Sequence, residues 1–185
     1  MMRIPDFFGR RAAVRRELET SRELLYRMAY AWCHDAALAD DLAHEAAEKA
    51  LRRAGQLREA EKLRAWLLRI LANCVRDNAR ARRELIELDA VEETLAAAGP
   101  TPEEAQASAQ LALRVRRAVA ELPLGQRQVV TLVDLEGCSY AEVGEILEIP
   151  IGTVMSRVCR ARQALRERLA PLASEALGAR LRSVK

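Results

Sequence analysis

Thr153, Met155, Ser156 and Arg157 are the residues whose types and spacing best suit reading a nucleic acid. If they open a helix, they place a hydroxyl, a thioether, a second hydroxyl and a guanidinium near its N-terminal end, where side chains reach base edges in a major groove. Arg160 and Arg162 follow at positions suited to phosphates. A second basic group lies far upstream. Arg64, Arg69, Arg76, Arg80, Arg82 and Arg83 are interleaved with Leu63, Trp66, Leu67, Ile70, Leu71, Cys74 and Val75 at helical spacing, so one face would be buried and another would offer guanidinium groups.

No Ser/His/Asp set, carboxylate pair or glycine-rich phosphate loop converges anywhere, which argues against an enzyme and against a cofactor. Both histidines read as ordinary solvent-facing side chains. Cys33, His34 and His44 could in principle hold a metal, but no second thiolate or repeated spacing supports it. The four cysteines form no CxxC pair and are expected to be reduced and mostly buried.

The charges are blocked along the chain. Residues 52–83 carry net +7, residues 84–113 net −7 and residues 153–185 net +6, a segregation hidden by the overall +3. Two basic segments around an acidic one suit two anionic contacts joined by a segment repelled from them. Solvated outer faces of Arg-rich helices explain the charge alone equally well.

The elements that must position these groups are helices. Hydrophobic residues recur at three- and four-residue spacing throughout, and only 4% of residues are aromatic, so the fold class is all-α: two small helical domains joined by an acidic linker. The first module spans 1–83, with helices over 14–33, 37–53 and 60–83. Leu18, Leu25, Met28 and Trp32 form the first apolar stripe, Asp35 offers an N-cap, and Leu38, Leu42, Ala46 and Ala50 point inward from the second helix. The linker covers 84–109 and is broken by Gly99-Pro100-Thr101-Pro102; Leu85, Ile86 and Leu88 are apolar enough to dock.

The second module, 110–185, contains a helix ending near Leu122, one over 125–136 stopped by Gly137, a short one to Leu147, and a longer one over 153–170. Ser139 and Glu142 have capping-box spacing. Short helix, tight turn and basic helix make a helix-turn-helix, with Ala141, Val143, Ile146, Ile149 and Val154 as its packing positions.

The stretch EGCSYAEVGEILEIPIGTVMSRVCRARQALRERL resembles region 4 of extracytoplasmic-function (ECF) sigma factors of bacterial RNA polymerase, and ELPLGQRQVVTLVDLEG resembles the helix before it. DDLAHEAAEKALRRA resembles the core-binding helix of region 2, and LRAWLLRILANCVRDNARARR the promoter-melting segment. This resemblance implies docking on the clamp of core RNA polymerase through Asp40, Asp41, Leu42 and Glu45. The helix dipole alone would also favour those acids.

It further implies that Arg58, Lys62, Arg64, Asn73, Arg76 and Arg80 hold the melted minus-ten strand, with a base extruded into the loop 55–62. Asn73 serves equally as a helix-surface amide. Tyr140, Thr153, Met155, Ser156, Arg157, Arg160 and Arg162 would read the minus-thirty-five duplex. The partners implied are core polymerase, promoter DNA as duplex and melted strand, and an anti-sigma factor. The linker would thread the positively lined channels of the polymerase.

Several positions depart from the family pattern. Ala47 and Leu51 stand where aromatics are usual, His44 replaces a Gln, and Met155 replaces a frequent Lys or Arg. The 55–62 loop holds no aromatic, so Leu57, Arg58 and backbone groups would have to hold a base. The first residues lack a secretory apolar stretch and no later run reaches a membrane span, so the expected location is the cytoplasm, without membrane insertion. Two other readings remain open: a dimeric helix-turn-helix regulator acting without polymerase, and a sigma-like adaptor that no longer opens promoters.

Overall fold

A computed structural model describes residues 7–57, 59, 62–86 and 103–182. Among the described residues seven α-helices run in chain order: α1 (Phe7–Cys33), α2 (Ala36–Arg52), α3 (Leu63–Ile86), α4 (Glu103–Ala120), α5 (Leu124–Val130), α6 (Tyr140–Leu147) and α7 (Ile151–Arg182). The fold is all-α, in two modules.

The corner between α1 and α2 follows from two residues. His34 takes the left-handed conformation (φ 57°) and its amide donates to the Tyr30 carbonyl, which ends α1. Asp35 is extended, and its side chain accepts from the Leu38 amide at 3.0 Å, which starts α2. Val14, Leu25, Met28 and Trp32 of α1 then bury against Leu42, Ala46 and Ala50 of α2 and Leu67, Leu71 and Cys74 of α3. Small alanines on α2 bring the helices close.

In the second module, Thr131–Leu135 continues α5 as a single wide π-helical turn, and Gly137 (φ 68°) reverses the chain. Ser139 and Glu142 form the complete capping box at the start of α6, Ser139 accepting from the Glu142 amide at 3.2 Å and Glu142 from the Ser139 amide at 2.8 Å. Those bonds also hold the Glu142 carboxyl below its ordinary pKa. Glu148, left-handed at φ 56°, closes α6, and α7 follows at Ile151.

Some expectations from the sequence are corrected. The first helix begins at Phe7, not near Val14, and the last starts at Ile151 and passes through Pro171 to Arg182 instead of ending at residue 170. Ala141 is exposed, while Val143, Ile146 and Val154 carry the helix-turn-helix packing with half-buried Ile149. Among the cysteines Cys74 alone is fully buried, and Cys159 is exposed. Docking of Leu85, Ile86 and Leu88, and the centre of the acidic linker, lie outside the described side chains.

The two modules do not sit apart. Val129, Leu132, Val143, Ile146, Leu147, Val154 and Val158 belong to the same buried cluster as the first module's core. α5 and α6 cover α1 and α3, making one continuous interior across a seam.

Candidate nucleic-acid and polymerase interfaces

The seam is fixed by polar contacts as well as apolar ones. Trp32, 1% exposed, donates its indole N–H to Thr131 Oγ1 at 2.8 Å, and the Thr131 hydroxyl lies 2.8 Å from the Arg127 carbonyl. Arg127 donates to the Trp32 carbonyl at the end of α1 and to the Ala120 and Leu122 carbonyls at the end of α4. One guanidinium thus satisfies carbonyls that two helix termini leave without intrahelical donors. It does so without a carboxylate partner in that set, and burial pushes its pKa down.

The same burial affects His34, whose Nε2 is enclosed without a hydrogen-bond partner and whose pKa is lowered to about 4 by desolvation and then by the Arg127 charge. His34 is therefore not the solvent-facing residue the sequence suggests. His44 does face solvent, with Nδ1 2.9 Å from the Asp40 carbonyl.

On α2, Asp40, Asp41 and Glu45 are exposed, Glu45 pairing with Lys49 at 2.7 Å. Leu42 is 2% exposed and belongs to the core, so its side chain has no surface to offer a partner. The inward stripe of α2 takes it, as its spacing with Ala46 requires.

The basic groups of α3 meet different fates. Arg64 donates to Glu136 Oε2 at 2.7 Å, joined by Arg27 on Glu136 Oε1 at 2.8 Å. Arg76 donates to the Leu147 carbonyl at 3.1 Å, filling the last turn of α6. Asn73 is half-buried and Arg80 exposed. Lys62 pairs with Glu59 at 3.3 Å, and Arg58 lies outside the described residues.

Beside that loop is a cavity of about 170 Å³ lined by Gln56, Leu57, Lys62, Trp66, Arg69 and Ile146. The loop itself lacks an aromatic, but Trp66 reaches it from the first turn of α3. Ile146 of the second module closes the other side.

On α7, Val154, Val158 and Ala161 are buried, while Met155 (54% exposed), Ser156 and Arg160 point outward. Arg160 donates to the Ser156 carbonyl at 3.2 Å, which pre-orders it along the helix. Thr153 is half-buried. Arg157 lies over Gly125, where a Cβ would come 2.9 Å from its Nη1, so it packs α7 onto α5 instead of projecting freely.

Arg162 is held by Asp134 through two hydrogen bonds and by Tyr140, which raise its pKa. Together with Met155 and Cys159 these side chains line a shallow groove of about 490 Å³. The outward face is thus narrower than the sequence indicates.

Arg27, Arg127, Thr131 and Glu136 were not legible as functional positions. Their roles arise from contacts across 95 to 109 residues of sequence, which periodicity does not encode. Among the described residues no three His, Cys, Asp or Glu side chains converge on a metal-sized site, and no helix is long and apolar enough to cross a membrane.

Models of known families match both modules. Sigma-70 region 2 matches residues 18–84, and Sigma-70, region 4 matches residues 112–165. The RNA polymerase sigma-H factor of Pseudomonas aeruginosa is 34% identical over 156 residues, covering 77% of this chain and 79% of that protein. The ECF RNA polymerase sigma factor SigW of Bacillus subtilis is 31% identical over 160 residues, covering 82% of this chain and 86% of that protein. The solved sigma factor RpoE of Bartonella quintana, in complex with the anti-sigma factor NepR, has a TM-score of 0.72 at 29% identity, over 84% of this chain and 96% of that one.

Proposed function

The chain belongs to the extracytoplasmic-function group of RNA polymerase sigma factors, and from that premise we propose how its surfaces divide the work of binding core RNA polymerase and directing promoter-specific initiation. Residues 1–83 act on core polymerase and the minus-ten element, 84–109 connect, and 110–185 read the minus-thirty-five duplex.

The carrying observation is the start of α7. Met155, Ser156 and Arg160 face outward over a base of buried Val154, Val158 and Ala161, behind a fully formed capping box. A helix held this way presents an apolar contact, a hydroxyl and a guanidinium to a major groove. Arg157, Arg162 and Tyr140 support that face more than they extend it, since their side chains are engaged with α5, Asp134 and each other.

Core polymerase is met by Asp40, Asp41 and Glu45, the exposed acids of α2. The melted strand is met by Lys62, Arg64, Asn73, Arg76 and Arg80, with Trp66 as the aromatic wall of a base-sized cavity beside the 55–62 loop. The protein works in the cytoplasm. By analogy with the NepR complex of its structural relative, an anti-sigma factor restrains it.

Gel filtration with core polymerase, followed by permanganate footprinting on a promoter found by transcript mapping, tests this reading. Co-elution and reactive thymines near minus ten are expected. Failure to co-elute at moderate salt favours a free-standing helix-turn-helix regulator, and an intact minus-ten duplex favours a non-initiating adaptor.

A further inference from the structure

Two guanidinium groups of the first module converge on one carboxylate of the second. Arg27 donates to Glu136 Oε1 at 2.8 Å and Arg64 to Glu136 Oε2 at 2.7 Å, one cation for each oxygen. A phosphodiester presents the same pair of anionic oxygens, and forked guanidinium donors suit both acceptors. The exposures are unequal. The Glu136 side chain is 4% exposed, whereas those of Arg27 and Arg64 are 57% and 50% exposed.

The carboxylate is therefore the inserted group and the arginines form the cradle. That cradle is built by α1 and α3, which pack on one another within the first module through Leu25, Met28, Leu67 and Leu71. The packing that sets its two halves side by side lies within the first module and does not involve Glu136. Glu136 sits between the π-helical turn and Gly137, on a bend that carries it into the seam.

Resting on the promoter-binding reading above, we infer that Arg27 and Arg64 form a binding site for a DNA backbone phosphate, which Glu136 occupies as an anionic surrogate while the two modules are closed on each other. Arg27 thereby joins the DNA-binding surface, although it lies outside both basic segments of the sequence. Carboxylate and phosphate exclude one another from the site, so closure of the seam and DNA binding at this pair compete.

The test uses the full chain and a short fluorescein-labelled duplex of mixed sequence, followed by anisotropy across a range of NaCl concentrations. Glu136→Gln keeps the side-chain shape and removes the charge. It is expected to tighten binding and to steepen the slope of log Kobs against log[NaCl] by about 0.9 for each phosphate newly neutralised. Adding Arg27→Ala to that variant should cancel most of the added slope.

An unchanged slope in Glu136→Gln overturns the inference. So does an added slope that survives Arg27→Ala, because the new phosphate contacts would then lie elsewhere. A second route avoids Glu136 altogether: in the complex with core polymerase, Arg27→Ala alone should flatten the slope by about 0.9, and no change there counts against the site. Co-elution of the unmodified chain with core polymerase is scored separately. Its loss would sink the sigma reading, whereas its retention with unchanged slopes would sink the phosphate site alone.

Discussion

On α3, Arg64 reaches Glu136 and Arg76 reaches the Leu147 carbonyl, so both side chains are engaged across the seam. On α7, Ser156 and Arg160 bond within their own turn and face solvent. The two helices carry similar charge, yet on α3 two guanidinium groups are engaged by the opposite module, whereas the outward residues of α7 are not. The difference teaches that similar charge on two helices meets different surroundings: the packing of the modules engages Arg64 and Arg76, while Ser156 and Arg160 on α7 stay clear of the seam.

The sharpest way to break that contrast is at Trp32, which fills the seam and bonds Thr131 across it. Trp32→Ala should cost about 3–5 kcal/mol in urea unfolding, because cavity and lost transfer energy add. A loss much below this range would mean that the seam contributes little to the core.

His34 gives a second handle on the seam. Its folded pKa, near 4, lies below the ordinary value, so the unfolded chain takes up a proton first as pH falls. Stability is then fully present above about pH 6.5 and is lost towards pH 4, by on the order of 2 kcal/mol for this half-buried ring. Arg127 on α5 is the charge facing it, and the Tyr30 ring packs at its edge. His34→Asn suits the left-handed backbone and should flatten the pH dependence between about 6.5 and 5, above the range in which ordinary carboxylates titrate. An unchanged profile would assign the acid sensitivity to other groups.

On the outward side the expected effects on stability are smaller. Ser139→Ala removes one half of the capping box and should destabilise the protein by about 1 kcal/mol in thermal or urea unfolding. It should also weaken duplex binding by loosening α6 beneath α7. Arg160→Ala should stay within about 0.5 kcal/mol of the parent in stability, as exposed substitutions do. Its readout is in DNA binding, where a phosphate contact predicts a salt slope shallower by about 1. A large stability loss at Arg160 would erase the distinction between the two faces.

Local signals determined much of this protein from sequence alone. Helical periodicity set an all-α chain, Asp35 and the Ser139–Glu142 pair placed helix starts, and Gly137 placed a stop, because caps and amphipathic spacing act within a few residues. The resemblance to the sigma-factor family was legible for the same reason: it rests on contiguous motifs in a fixed order.

Tertiary structure decided the fate of each charged group. Leu42 went to the core, Arg157 to Gly125, Arg162 to Asp134, and Arg64 with Arg27 to Glu136. It also brought Trp66 to a loop that has no aromatic of its own and enclosed His34 beside Arg127. The physical reason is range. Backbone caps and hydrophobic stripes are chosen by near neighbours, whereas a guanidinium on a long flexible stem takes whichever anion or carbonyl the folded chain brings within about 3 Å.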